Sequence, residues 1–250
     1  MKSLCISPGL SNSDMITLFI GLLSVAVAAI SVYILYKTLV AIKISNETTA
    51  TLNQVQSAET TIIKQIEFHY NLLKGISINI AEAGRGYGIP NGPEVVYGQD
   101  AFEIMYDILK EKYKYVVTLG NENNVEEIEN TKIIAAFSAL YKVCGSKFGN
   151  YYKNLYFLIK YIDELPQKKE YKKTYYIDLI KAQLSKYEIL LLAYDCIWIQ
   201  DKTKGENFIE YASKHGLLSA LETEMLMDPR HRTLLEKRYK INFRSHNELN

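Results

Sequence analysis

The chain is poor in the residues on which several protein classes depend. It has three cysteines in 250 residues, Cys5, Cys144 and Cys196, far apart and without CxxC spacing. An odd set so placed excludes a disulfide framework and a cysteine-rich zinc site. Prolines number only five and there is one tryptophan, so little interrupts long helices. Net charge is almost nil: Lys+Arg 29 against Asp+Glu 28, a formal +1. No global field therefore draws the protein to nucleic acid or to an acidic partner. Hydrophobic residues make up 48% and charged residues 23%, which excludes both a disordered chain and a polytopic membrane protein. Catalytic signatures are missing too. The four histidines, His69, His215, His231 and His246, form no HExxH, and neither GxSxG nor a Walker lysine occurs. Arg230 and His231 are adjacent, Arg244 and His246 have one residue between them, and Arg238 and His246 have seven. None fits the wider Arg–His spacing of four to six residues that some membrane-linked ribonucleases use. No metal site and no cofactor is expected.

What the chain does have is one long apolar run. Met15–Tyr36 reads MITLFIGLLSVAVAAISVYILY, 22 residues without a charge. At about 1.5 Å per residue that is roughly 33 Å of helix, enough for a hydrocarbon core of about 30 Å. The run continues past its small residues into further helical pattern, which favours a retained anchor over a cleaved signal. Lys2 and the amino terminus, offset by Asp14, lie before it, and Lys37, Lys43 and later Lys64 lie after it. That bias places the long C-terminal part in the cytoplasm. A second candidate, Ile189–Ile199, is short and contains Asp195, so it reads as a buried core helix.

Beyond the span, Leu52, Val55, Ile62, Ile66, Leu73 and Ile76 follow alternating steps of three and four, with Glu59 and His69 as the two misses. Such a seam either joins two chains or packs on its own domain. A second copy of the chain could pair through Leu52–Ile66. GRGYGIPNGP (84–93) lacks GxGxxG spacing and reads as a surface loop. Helices are expected over Asp100–Val117, Lys132–Val143, Asn150–Glu164, Tyr171–Ile199 and Glu206–Leu221, with NENNVEEIEN (121–130) as a solvated acidic loop. Strand signals are nearly absent. The expected fold class is all-α: a single N-terminal transmembrane helix followed by a cytoplasmic helical domain. Its parts are a short tail at 1–14, the span at 15–40, a membrane-proximal long helix at 41–80, the helical domain at 81–228 and a basic C-terminal tail at 229–250.

Residues 229–246 hold Arg230, Arg232, Lys237, Arg238, Lys240 and Arg244 against Glu236. A solvated terminus is the plain reading, and contact with anionic lipid or RNA the alternative. Glu188 and Asp195 lie seven apart on an apolar helix. A buried carboxylate satisfied by Tyr or Lys is commoner there than acid–base chemistry. His69, on the seam, reads first as a packing histidine.

Taken in order, the apolar span, FHYNLLKGI (Phe68–Ile76), YGQDAFEIMY (Tyr97–Tyr106), YYKNLYFLIKYID (Tyr151–Asp163) and YIDLIKAQLSKYEILLLAY (Tyr176–Tyr194) resemble the phage abortive infection (AbiC-like) membrane protein family. The resemblance covers about residues 15–220. Gln99, Lys153 and Lys181 stand where that family tends to have arginine, so the planar bidentate fork is missing at all three. The resemblance implies a bacterial inner-membrane, single-pass protein that stops phage multiplication, with no catalytic chemistry attached. Its candidate polar face is Lys153, Asn154, Tyr156, Lys181, Gln183, Ser185 and Glu188 on two neighbouring helices, with His69, Gln99 and Asp100 as secondary candidates. Lys181, Ser185 and Glu188 recur at steps of four and three, which would put them on one helix face. That face either knits the helices together or senses a phage-derived signal. The expected partners are the lipid bilayer, a second copy, and a phage trigger or neighbouring defence protein. Two other readings are a membrane-tethered enzyme such as a nuclease, which would bring nucleic acid in as a partner, and an oligomeric scaffold.

Overall fold

The computed structural model describes residues 12–80, 95–116, 125–166, 171–202 and 208–239, and among them seven α-helices and one small sheet. Two compact units divide the chain, residues 1–58 and 59–250. The helix α1 (Asn12–Gly75) contributes to both.

In the first unit every residue from Asn12 to Ala50 on α1 is exposed, including the whole apolar run. The serine and threonine hydroxyls of the run, and that of Thr38 just past it, bond back to the helix itself. Thr17, Ser24, Ser31 and Thr38 each donate to a carbonyl three or four residues earlier at 2.8–2.9 Å. A helix that satisfies its own polar hydrogens presents an apolar surface throughout. By length and composition α1 is long and apolar enough to cross a membrane.

In the second unit the seam residues Ile62, Ile66, Leu73 and Ile76 are buried. Its two polar interruptions are also engaged: Glu59 accepts from the Tyr176 hydroxyl at 2.8 Å, and His69 meets Asn154 at 3.1 Å. From Glu59 onward the seam packs within its own domain, while Leu52, in the first unit, is exposed. The chain then enters β1 (Ser77–Asn79), which pairs antiparallel with β2 (Val95–Tyr97) in the register Ser77↔Tyr97, Ile78↔Val96, Asn79↔Val95. This pair was not expected. Three-residue strands are too short to display a period of two. The loop expected at 84–93 lies outside the described residues.

The domain is built around α3 (Val125–Glu164), a 40-residue helix. Against it pack α2 (Gly98–Tyr115), α4 (Lys173–Gln183), α5 (Lys186–Lys202), α6 (Phe208–Lys214) and α7 (Arg230–Tyr239). Ile133, Phe137, Leu140, Phe148, Tyr151, Leu155, Ile159 and Ile162 form the buried stripe of α3 at helical spacing. Residues 189–198 of α5 are buried on all sides, as a helix that is apolar all round save for Asp195 requires. Cys144 on α3 and Cys196 on α5 are both free and buried. Burial raises the Cys144 thiol to about 11 and pushes Cys196 up as well.

Helix boundaries differ from expectation in four places. The acidic stretch is helical from Val125, with Glu126 and Glu127 favourable at the helix N-terminus, and Glu129 and Asn130 are buried rather than solvated. The two helices expected around residues 144–149 are one, because the glycines there make room for a ring. Tyr171–Ile199 is not a single helix but breaks at Leu184 and Ser185. The last expected helix ends at Lys214, and the chain turns on to bury Leu217, Leu218 and Leu221.

Gly145 and Gly149 test the second of these points with opposite signs. A Cβ at Gly145 would lie 2.5–2.7 Å from three Tyr141 ring atoms, and that ring is stacked on Trp198 at 4.5 Å. At Gly149 the nearest atom is the Tyr141 hydroxyl, the free end of the side chain, at 3.1 Å. Gly145→Ala is expected to cost about 1–3 kcal/mol through overpacking. Gly149→Ala is expected to gain about 0.5–1 kcal/mol from helix propensity. Thermal melts of the two variants decide this; shifts of the same sign would be inconsistent with the ring contact.

The stretch 229–250 is likewise not all tail. Arg230–Tyr239 forms α7, in which His231 and Leu235 have 0% exposure and Leu234 3%. Arg230 pairs with Asp228 at 2.7 Å and with Glu129 at 3.0 Å, and Arg232 pairs with Glu236 at 2.8 Å. The basic residues here are thus partly spent on intramolecular ion pairs.

Candidate functional site

The site begins with a local sequence signal, Ser185-Lys186-Tyr187-Glu188. The Ser185 hydroxyl accepts from the Glu188 N–H at 3.3 Å, and Glu188 Oε2 accepts from the Ser185 N–H at 2.7 Å. This reciprocal pair is a capping box, and it starts α5 just after α4 has ended at Gln183. Lys181 therefore sits on a different helix from Glu188, and the shared face expected for Lys181, Ser185 and Glu188 does not form.

Glu188 is fully buried. Its Oε1 accepts from the Tyr151 hydroxyl, its Oε2 also accepts from Gln99 Nε2 at 3.3 Å, and its backbone carbonyl accepts from the Tyr152 hydroxyl at 2.8 Å. One carboxylate thus ties α2, α3 and the α4–α5 junction together. Burial, and then the Glu188 charge, push the Tyr151 hydroxyl well above the usual tyrosine range, so it stays a neutral donor. Gln99 reaches the carboxylate because Gly98 lies at φ +61°, a left-handed conformation that turns the chain from β2 into α2. The same amide nitrogen also lies 3.4 Å from the Gln183 carbonyl.

His69 stacks on Tyr151 with ring centroids 4.1 Å apart and planes 27° apart. Asn154 Nδ2 faces Gln65 Oε1 at 3.5 Å, which turns its Oδ1 toward His69 Nδ1 at 3.1 Å. Nδ1 therefore carries the ring hydrogen, and Nε2 is left as an acceptor. Nε2 is buried and has no partner. Burial, opposed by the Asn154 hydrogen bond, lowers the His69 pKa to about 4, so the ring is neutral at physiological pH.

Beside this group lies a cavity of about 830 Å³. Its walls are mostly apolar: Ile63, Ile66, Tyr70 and Leu73 of α1, with Tyr151 and Leu184. His69, Gln99 and Gln183 border it, as do the oppositely charged Glu67 and Lys74. Lys74 Nζ sits 4.3 Å from the centre of the Tyr70 ring.

Of the expected residues, the structure gathers Asn154, Gln183, Ser185, Glu188, His69 and Gln99 around this one point. Lys153 and Asp100 are exposed and make no part of it. Lys181 contacts Asp178 at 3.5 Å. Tyr156 is buried against Phe208 and Tyr211, with ring centroids at 5.5 and 5.6 Å. Tyr151 and Tyr152 carry the site's phenolic donors and were not singled out by sequence, because in a helix so rich in tyrosine nothing marks two of them. Asp195, seven residues on, does not join Glu188 in a paired site; burial alone raises its pKa to about 7. Among the described residues no cluster of three or more His, Cys, Asp or Glu could hold a metal ion.

A second polar group was also missed. The Met227 N–H donates to the Tyr194 hydroxyl, which lies 3.0 Å from His231 Nδ1; His231 Nε2 lies 3.2 Å from the Tyr113 hydroxyl, which donates to Glu129. Read in one direction every donor in this chain meets an acceptor, with a neutral imidazole at its centre. Burial lowers the His231 pKa against the pull of Asp228 and Glu129.

Residues 144–226, about a third of the chain, match the family model described as "Putative phage abortive infection protein". The match contains Asn154, Tyr156, Gln183, Ser185 and Glu188, and leaves out His69, Gln99 and the α1 wall of the cavity. No curated protein and no solved structure matches the chain.

Proposed function

We propose that this is a membrane-anchored anti-phage defence protein that acts by abortive infection. In this reading the apolar run of α1 is a single-pass anchor in the bacterial inner membrane, and the helical domain is a cytoplasmic sensor. The observation that carries it is the joining, on one helix, of a wholly exposed apolar run and the wall of a cavity (Ile63–Lys74). A ligand that fills the cavity bears directly on α1, so occupancy can be felt by the anchor helix. The charge bias after the span, Lys37 and Lys43, supports a cytoplasmic domain. Support for defence comes from the family match, which includes the capping box and its carboxylate. Of the residues that prompted the tethered-nuclease reading, His231 is buried and Arg230 and Arg232 are ion-paired, so these three are engaged in the fold.

The test is phage infection of cells making the full chain or a form lacking residues 1–43, with membrane potential followed by dye fluorescence. Protection with collapse of the potential before lysis is expected from the full chain only. Protection by the truncated form would remove the anchor from the mechanism.

A further inference from the structure

The cavity beside His69 has a chemistry of its own, and it selects a kind of ligand. Its volume, about 830 Å³, falls within the range that takes small molecules, about 300–1,000 Å³. Its walls are aliphatic and aromatic. The two charged side chains on them, Glu67 and Lys74, are of opposite sign, so neither an anion nor a cation is favoured. Of the polar groups that border it, His69 and Gln99 offer acceptors. His69 Nε2 is a bare, unpartnered nitrogen on a ring that is only 4% exposed, and Asn154 holds the opposite nitrogen so that the ring cannot change tautomer freely. Gln99 commits its amide nitrogen to Glu188 and the Gln183 carbonyl, which leaves its side-chain oxygen as what it can offer. A buried acceptor without a partner is costly, and a donor supplied by a ligand removes that cost.

We propose that this cavity binds a small, uncharged, flat ring carrying one hydrogen-bond donor, an N–H or O–H that His69 Nε2 accepts. The ring of such a ligand lies among Tyr70, Ile63, Ile66, Leu73 and Leu184, and its donor points at the stacked His69–Tyr151 pair. No protein group competes for Nε2, so the ligand's donor is the one partner it gains, and an analogue lacking the donor is rejected strongly. This deepens the sensing reading above and rests on it for its biological meaning. The binding itself does not depend on phage defence.

The probe is indole, with 1-methylindole, the same ring without the donor, as its control. Both are titrated into the purified full chain in detergent, measured by calorimetry against protein-free micelles. Saturable binding of one indole per chain is expected, with 1-methylindole weaker by at least about tenfold. His69→Phe keeps the stacking ring and removes Nε2, so it is expected to bind both probes with equal affinity. Equal affinity of the two probes for the unaltered chain, or no saturable binding of either, would overturn the proposal even if no variant folded. So would a preference for indole that survives in His69→Phe. Protection from phage lost with probe binding intact would instead count against the defence reading alone.

Discussion

Glu188→Ala is expected to lower the stability of the domain by about 3–5 kcal/mol. The side chain is fully buried and receives three donors: the Tyr151 hydroxyl, the Ser185 N–H and Gln99 Nε2. Alanine leaves the first two without an acceptor, at about 1–3 kcal/mol for a buried group, removes the helix cap at about 1 kcal/mol, and opens a void. Glu188→Gln keeps the volume and one acceptor oxygen. Its amide nitrogen must then face either the Ser185 N–H or the Tyr151 hydroxyl, and a loss of about 1–2 kcal/mol is expected. Denaturant unfolding of both variants checks the ranking. Both variants melting with the unaltered chain, but failing to protect, would mean that the carboxylate acts on a signal rather than on the fold.

Removing the chain after Pro229 is expected to abolish folding of the domain rather than trim a tail. The truncation deletes Leu234 and Leu235, each worth about 2–5 kcal/mol as a buried leucine. It also deletes His231, the centre of the Tyr194–His231–Tyr113–Glu129 chain. A gentler variant isolates that chain. His231→Phe fills the space but leaves the Tyr194 hydroxyl proton without an acceptor, for an expected loss of about 1–3 kcal/mol. Yield of folded protein after detergent extraction and the melting temperature are the readouts. A truncated chain that melts normally would show that α7 adds nothing to the core. It follows that loss of defence on removing this end could not be taken as evidence of a nuclease.

How far the sequence reading reached depends on the range of the signal. The long apolar run of α1 and the mostly helical character seen in α1, α2 and α3 come from composition and a period of 3.6 over many turns. The packing of the seam was settled by Tyr176 and Asn154, which lie about a hundred residues away from it and carry no local mark. The same holds for Gln99 and Tyr151, whose link to Glu188 spans 89 and 37 residues. The break at Ser185 was different. Ser-x-x-Glu is a helix-start signal, and it was outweighed by an apolar pattern that runs unbroken on both sides of it. Likewise Gly145 and Gly149 look like a helix end until the Tyr141 ring lying over them is known.

The two buried cysteines have a consequence for redox chemistry. A thiol must ionise before it attacks a disulfide, a metal or an oxidant, and burial opposes that ionisation at Cys144 and Cys196 alike. They sit on different helices, α3 and α5, inside one core. Oxidation and alkylation at these two positions therefore wait on opening of the core, so the pair reports on unfolding: both thiols stay unmodified for as long as the domain stays folded.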